Sequence, residues 1–229
     1  MNVIHLVRLR NTSIFEQLQI EEALIRADKR NWCLLNEGSD EAIVMGISGK
    51  PEQLINTTSL PVIRRFSGGG TVLVDENTCF VTVICNHSAL DVTPFPKQIL
   101  NWNGRLYQGL APSGFSIEEN DYALNGKKFG GNAQYITKNR WLHHSTLLWD
   151  FDPEKMKALK MPPKMPAYRQ GRAHEDFLCR LKDYLRHKDE LFDQVVESLG
   201  SSFIVKEIPQ SFLKNTTSAS HRRSTTIEA

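Results

Sequence analysis

The chain has no apolar run long enough to cross a bilayer and no excess of one charge. Its 28 basic and 26 acidic residues leave a formal charge of +2, so no global field points to nucleic acid or to a membrane surface. Cysteine is sparse. Cys33, Cys79, Cys85 and Cys179 are scattered, with no CxxC pair and no Cys/His ligand spacing. That disfavours a thiolate metal centre and a disulfide framework, and it predicts a reducing, cytoplasmic compartment. No GxxxxGK[ST] run and no GxGxxG opening a helix is present, so neither a Walker A loop nor a dinucleotide fingerprint is available. No internal repeat is visible. The first fifteen residues hold Arg8, Arg10 and no acid, a faintly mitochondrial composition, but residues 3–9 read better as a first strand.

What the chain does have is 229 residues, 40% of them hydrophobic and 24% charged, enough to bury one sizeable core. It also has Arg64-Arg65-Phe66-Ser67-Gly68-Gly69-Gly70-Thr71. Apolar runs on both sides make this strand, tight loop, strand. Consecutive glycines allow main-chain N–H groups to turn inward as an anion site. Adjacent arginines offer forked donors for phosphate or carboxylate.

Around this segment the periodicity predicts a helix over 14–28 with Ser13 as its cap, and strands at 32–35 and 42–47. Residues 79–85 are apolar on both faces and read as a central strand, with Cys79 and Cys85 as core residues. A helix is expected over 97–110, ended by Pro112, Ser113 and Gly114, and a short strand over 122–124. A strand is expected over 141–149, an irregular Pro162- and Pro163-containing connection over 160–172, a long helix over 175–199 and a strand over 203–205. From Lys214 the Ser/Thr-rich composition predicts disorder. The expected organisation is one domain over 1–213 and a tail over 214–229.

A second glycine–cation stretch runs Asn125-Gly126-Lys127-Lys128-Phe129-Gly130-Gly131-Asn132-Ala133-Gln134. If the sheet brings the two glycine loops to one end, Lys128 faces an anion held by Arg65 and residues 68–70. Such a site suits a carboxylate attacking the α-phosphate of ATP, because a fixed cation stabilises the charge that builds on the phosphoryl oxygens. Lys127 competes for this role; Lys128 is preferred because it directly precedes Phe129-Gly130-Gly131. His143 and His144 are neighbours on a strand and point to opposite faces, so a shared metal is disfavoured and no metal site is assigned. Ser67 lacks the frame of a nucleophile elbow.

The sequence resembles the lipoate–protein ligase family of the biotin/lipoate ligase superfamily. The resemblance rests on residues 64–72 followed by Asp75, on Thr78-Cys79-Phe80, on Asn120-Asp121 leading to residues 126–134, and on His143-His144-Ser145-Thr146-Leu147-Leu148. It covers roughly residues 1–205. It implies an α+β fold with a mixed, largely antiparallel sheet flanked by helices. It also implies a two-step reaction: lipoate and ATP with Mg²⁺ give lipoyl-AMP and pyrophosphate, and a lysine of a lipoyl domain then takes the acyl group. The implied acceptors are lipoyl domains of 2-oxoacid dehydrogenases or the glycine-cleavage H protein.

Within that resemblance Lys128 is the catalytic cation, touching both lipoate and nucleotide. Arg65, Ser67, Gly68, Gly69, Gly70, Thr71, Val72 and Leu73 hold the nucleotide. Gly130, Gly131, Asn132, Ala133, His144 and Thr146 shape the lipoate pocket. Three positions depart from the family pattern: Val74 replaces His, Ser145 replaces Gly and Asn132 replaces Ser. The chain is too short for the additional C-terminal domain of many ligases, so a separate accessory protein is an expected partner. The nearest rival is an octanoyltransferase, whose cysteine nucleophile has no counterpart in residues 111–118. A biotin ligase fits less well, because its glycine loop has interspersed arginines. A non-catalytic binder of lipoyl domains is the third reading.

Overall fold

The computed structural model describes residues 1–56, 59–111, 113–161, 165–214 and 220–228. In chain order the elements are β1 (Asn2–Leu9), α1 (Ile14–Ala27), β2 (Asn31–Asn36), β3 (Ala42–Met45), α2 (Pro51–Leu54), β4 (Val62–Arg64), β5 (Val72–Val74), β6 (Thr78–Asn86) and α3 (Pro96–Gly104). Then follow β7 (Phe115–Glu118), β8 (Asp121–Leu124), β9 (Lys127–Ile136), β10 (Arg140–Leu148), α4 (Pro153–Met156), α5 (His174–Phe177), α6 (Lys188–Gly200), β11 (Phe203–Glu207) and β12 (Thr226–Ile227).

Eight strands form the main sheet in the order β11-β1-β2-β6-β10-β9-β8-β7. Only β11–β1 and β1–β2 are parallel; every other pairing in it is antiparallel. A four-stranded sheet, β12-β4-β3-β5, packs beside it. This is the expected α+β fold with a mixed, largely antiparallel sheet.

The two faces of the main sheet follow from strand alternation. On one face Cys79, Val81, Val83 and Cys85 of β6 join Trp141 and Leu147 of β10 under Trp102 of α3 and Phe192 of α6. On the other, Ile84 and Leu142 meet Leu24 of α1, while Phe80 meets Ile14, Val44 and Ile63 of α1 and the smaller sheet. With both faces covered, β6 is buried along nearly its whole length. Burial pushes the thiols of Cys33 and Cys79 up to about 12 and raises that of Cys85 as well, as expected for inert core cysteines. The α1 cap is the expected one: the Ser13 hydroxyl accepts the Glu16 N–H.

Four expectations need correction. Residues 175–199 are not one helix. The Cys179 N–H donates to the Lys128 carbonyl at 2.8 Å and Leu178 bridges Lys128 in parallel. The chain is drawn against β9 where β10 has ended, and α6 starts only at Lys188. Tertiary pairing thus overrides a helical apolar stripe. Second, the stretch 125–134 is not a glycine loop. Beyond the tight turn at Asn125 and Gly126 it is strand β9, and Phe115–Glu118 adds the unexpected edge strand β7. Third, the 97–110 helix ends at Gly104 and continues as tight turns to Leu110.

Fourth, part of the expected disordered tail is placed. Residues 224–228 are held because Glu22 accepts the Ser224 and Thr225 N–H groups and Glu228 pairs with Arg64. These fixed polar partners substitute for the apolar contacts that the composition lacks. The expectations at Pro112, at Pro162 and Pro163, and over 215–219 lie outside the described residues.

Candidate active site

The glycine loop connects β4 to β5 and is stapled from within. The Arg65 side chain is 5% exposed. Its Nε and Nη2 donate to the Gly68 carbonyl at 3.0 and 2.7 Å, and Nη2 also donates to the Gly70 carbonyl at 2.8 Å. Burial pulls its pKa down to about 10, which leaves it charged at neutral pH. Two of the three nitrogens expected to grip an external anion are therefore engaged by the loop's own carbonyls, and through them Arg65 shapes the loop. Arg64 is engaged as well, with Glu228 at 2.8 Å and with the carbonyls of Ile47 and Gly49.

Gly69 sits at φ +103°, and a Cβ built there would lie 2.6 Å from Arg65 Nη2. Only glycine fits that position. At Gly68 and Gly70 a Cβ would meet nothing within 4 Å. The protein's own packing does not need glycine at those two positions, and the open space beside them is free for a ligand. The Thr71 hydroxyl next to them is buried and has no partner.

The loop faces β9. The same built Cβ at Gly69 lies 3.5 Å from the Asn132 carbonyl and 3.7 Å from Ala133 Cβ. At Gly131 it would lie 3.3 Å from Lys128 Nζ and 3.8 Å from Asp121 Oδ1. The two glycine stretches, far apart along the chain, therefore meet at Gly69 and Ala133, and Lys128 lies beside Gly131 on the same face of β9, the face of the candidate cleft.

Lys128 is aimed by an irregularity. Tyr122 pairs with Gly130 but Ala123 pairs with Lys128, so Phe129 is an extra residue, a β-bulge. Phe129 joins Tyr107 and Tyr122 in the core under α3. Without the bulge, Lys128 would share the core-facing side of Gly130; with it, Lys128 emerges on the cleft side with Gly131. Lys127 is turned the other way, at the rim of a cavity of ≈ 380 Å³ that it shares with Leu178, Cys179 and Tyr184. The Lys128 ammonium lies 2.8 Å from Asp121 Oδ1, and Tyr168 donates its hydroxyl to Asp121 Oδ2 at 2.9 Å. Burial and the Asp121 charge together raise the Tyr168 pKa, so the phenol stays protonated.

The histidines diverge as strand geometry requires. His144, opposite Ala133, shares the cleft-side face with Gly131 and Thr146. Its Nδ1 is 2.8 Å from Glu21 Oε1 and 3.1 Å from the Thr82 hydroxyl. Gln17 and Thr82 also donate to that Glu21 oxygen. His144 is thus a wall fixed from α1. His143 lies on the far face, fully buried, with Nε2 2.8 Å from the Tyr122 hydroxyl. Burial lowers its pKa to about 3, so the ring is neutral, and its tautomer sets which way the hydrogen bond to Tyr122 runs.

Of the residues singled out from sequence, Gly131, Ala133, His144, Thr146 and Lys128 share one face of the sheet, Gly69 touches that face, and Gly68 and Gly70 border open space. Others do not present side chains there. Ser67 is buried, its carbonyl accepting the Ile47 N–H. Leu73 packs with Leu148, Phe151 and Phe177, and Val72 against the Ile14–Val44 cluster. Gly130 faces the core: a Cβ there would lie 2.6 Å from Leu147 Cδ2. Asn132 donates to the Asn120 carbonyl. The sequence reading missed Glu21, whose only signal was an acid on the buried stripe of α1. It also missed Tyr168, which sits in a stretch with no pattern to read.

Comparison with known proteins gives the family and the fold. Residues 13–204 match the family described as the lipoyl protein ligase A/B catalytic domain. The chain is 25% identical to inactive lipoate–protein ligase 2 of Plasmodium falciparum over 80% of its own length and 64% of that protein's. It is 31% identical to lipoate–protein ligase LplJ of Bacillus subtilis over 58% of its length and 42% of that protein's. The chain thus spans less than two thirds of these relatives. Among solved structures, lipoate–protein ligase A bound with ATP superposes with a TM-score of 0.72 at 15% identity, covering 94% of this chain and 92% of that one. The bipartite lipoate–protein ligase of Thermoplasma acidophilum, solved in a study with its E2 lipoyl domain, gives 0.74 at 16% identity, with 95% and 91% covered. At such identities these likenesses speak to the fold. The chain belongs to the lipoyl protein ligase A/B catalytic domain family.

Proposed function

We propose that this chain is an ATP-dependent lipoate–protein ligase. The observation that carries the reading is the bulge at Phe129, which turns Lys128 to the face of β9 that the open glycine loop meets. A lipoate carboxylate oxygen attacks the α-phosphorus of ATP; an acyl–phosphate bond forms, the α–β bond breaks and pyrophosphate leaves. Both reactants are anions, and Lys128 lowers their mutual repulsion and stabilises the equatorial oxygens as charge builds. Residues 68–71 supply main-chain donors and space for the phosphates. Gly131, Ala133, His144 and Thr146 line the acyl side. Mg²⁺ would enter as part of the substrate with the triphosphate and would offset its charge.

In the second step the neutral amine of an acceptor lysine attacks the acyl carbon. A C–N bond forms, AMP leaves with the C–O electron pair, and the amine loses its proton to solvent. Lipoyl domains of 2-oxoacid dehydrogenases or the H protein are the proposed acceptors. A separate accessory protein is a proposed partner, supported by the bipartite ligase among the structural neighbours. The proposed division of the chain takes residues 1–213 as the catalytic unit, with residues 224–228 packed onto it.

A non-catalytic homologue is the second reading, favoured by the inactive P. falciparum relative. ATP–pyrophosphate exchange tested with lipoate, octanoate and biotin separates the two. Lipoate-dependent exchange supports the ligase. Binding of a lipoyl domain with no exchange supports the homologue, and octanoyl transfer from an acyl carrier protein without ATP supports a transferase.

A further inference from the structure

The C-terminal segment 224–228 covers the β4 edge of the smaller sheet. Thr226 and Ile227 pair antiparallel with Arg64 and Ile63, and the Glu228 N–H donates to the Val62 carbonyl at 2.8 Å. Two carboxylates fix this strap, one at each end. Glu22 of α1, 1% exposed and also bonded to Arg26, accepts the Ser224 N–H at 2.9 and 3.0 Å and the Thr225 N–H at 3.0 Å. Glu228 grips Arg64 through two parallel bonds at 2.8 Å. A bidentate pair of this kind fixes direction as well as distance.

The remaining donor of Arg64 carries the contact inward. Its Nη1 donates to the carbonyls of Ile47 at 3.0 Å and Gly49 at 2.7 Å. The turn after β3 is in turn fastened to the glycine loop, with the Ile47 N–H on the Ser67 carbonyl at 2.9 Å and the Arg65 N–H on the Met45 carbonyl at 3.0 Å. Gly46 backs directly onto Gly68 and Gly69; a Cβ there would lie 2.4 Å from the Gly69 carbonyl oxygen. An unbroken series of polar contacts thus runs from Glu228 through Arg64 and the 46–49 turn to the loop.

We infer that residues 224–228 act as an intramolecular strap that holds the glycine loop in its open, ligand-ready shape, with Arg64, Glu22 and Glu228 as positioning residues. The surface it occupies, a strand edge with a buried carboxylate at one end and a forked cation at the other, is built to receive a main-chain segment carrying an acid. This deepens the proposed nucleotide role of the loop and rests on it. The structural part is tested in protein without nucleotide, so the two stand or fall separately.

The test is hydrogen exchange at single amides in full-length Glu228→Ala and Glu228→Gln. With the strap coupled to the loop, the Ile47 and Arg65 amides exchange about threefold faster or more in Glu228→Ala, while central β6 amides keep their protection. Glu228→Gln, which keeps one neutral acceptor, falls between. If the 224–228 amides exchange freely in Glu228→Ala while Ile47 and Arg65 are unchanged, the strap is inert and the inference is wrong. If Glu228→Ala loses protection throughout the sheet, Glu228→Gln decides by the same two amides.

Discussion

The ammonium of Lys128 is 2.8 Å from one oxygen of Asp121, and the hydroxyl of Tyr168 donates to the other. The ammonium is thus already partnered and pointed at Gly131. In the proposed reaction, Lys128→Ala would remove charge stabilisation from the adenylation step. Lipoate-dependent ATP–pyrophosphate exchange is expected to fall about 10²-fold or more. Lys127→Ala, on the other side of the strand, should leave exchange within about twofold of the parent. The reverse result would assign the chemistry to Lys127.

Two neighbouring glycines should behave oppositely. Gly69→Ala meets a positive φ and the Arg65 guanidinium, and it should lower stability by about 1–2 kcal/mol, read from denaturant unfolding. Gly70→Ala meets open space and should leave stability unchanged while weakening ATP binding by calorimetry. Unimpaired ATP binding in Gly70→Ala would mean that the space is not a nucleotide cradle.

Arg65→Ala leaves the Gly68 and Gly70 carbonyls without the partner that folds them inward. A loss of about 1–3 kcal/mol is expected, together with weaker nucleotide binding. If Arg65 contacted only the ligand, apo-protein stability would not change. Chemical denaturation without ATP makes the distinction.

His143 sets a pH dependence. Its folded pKa, about 3, lies below its ordinary 6.5 because burial disfavours the charged ring. Between those values the unfolded chain binds the extra proton, so stability is complete above pH 6.5 and declines as pH falls towards 3. The slope from this group is at most about 1.4 kcal/mol per pH unit. Melting of the parent against His143→Asn across that interval should give a flatter curve for the variant. Parallel curves would contradict a neutral buried imidazole.

The sequence and the structure agree where a pattern repeats. The capped stripe of α1, the two-faced apolar run of β6 and the alternation through His143 and His144 were readable from spacing alone. The meeting of the two glycine stretches was legible as a requirement of the proposed chemistry, and Lys128 was preferred over Lys127 from its place before Phe129. Which side of the strand each lysine takes was not legible. A bulge is one residue out of step, and nothing in the order Lys-Lys-Phe-Gly-Gly announces it. Arg65 read as a ligand-facing donor because adjacent arginines and glycines do not say which carbonyl will accept. The stripe over 175–199 misled because Leu178 and Cys179 are apolar for a different reason: they extend the sheet beside Lys128. The tail misled because composition does not register a carboxylate such as Glu22 waiting elsewhere in the chain.

The extra residue at Phe129 makes the length of this segment a poor guide to its geometry. Removing Phe129 would leave Lys128 next to Gly130 on a regular ladder, and its ammonium would still look into the cleft, although an aromatic anchor of the core would be gone. Straightening the strand with the residue kept would turn the same ammonium towards Tyr107 and the interior. Natural relatives could therefore gain or lose a residue here and keep the chemistry, provided that each gain is matched by a kink.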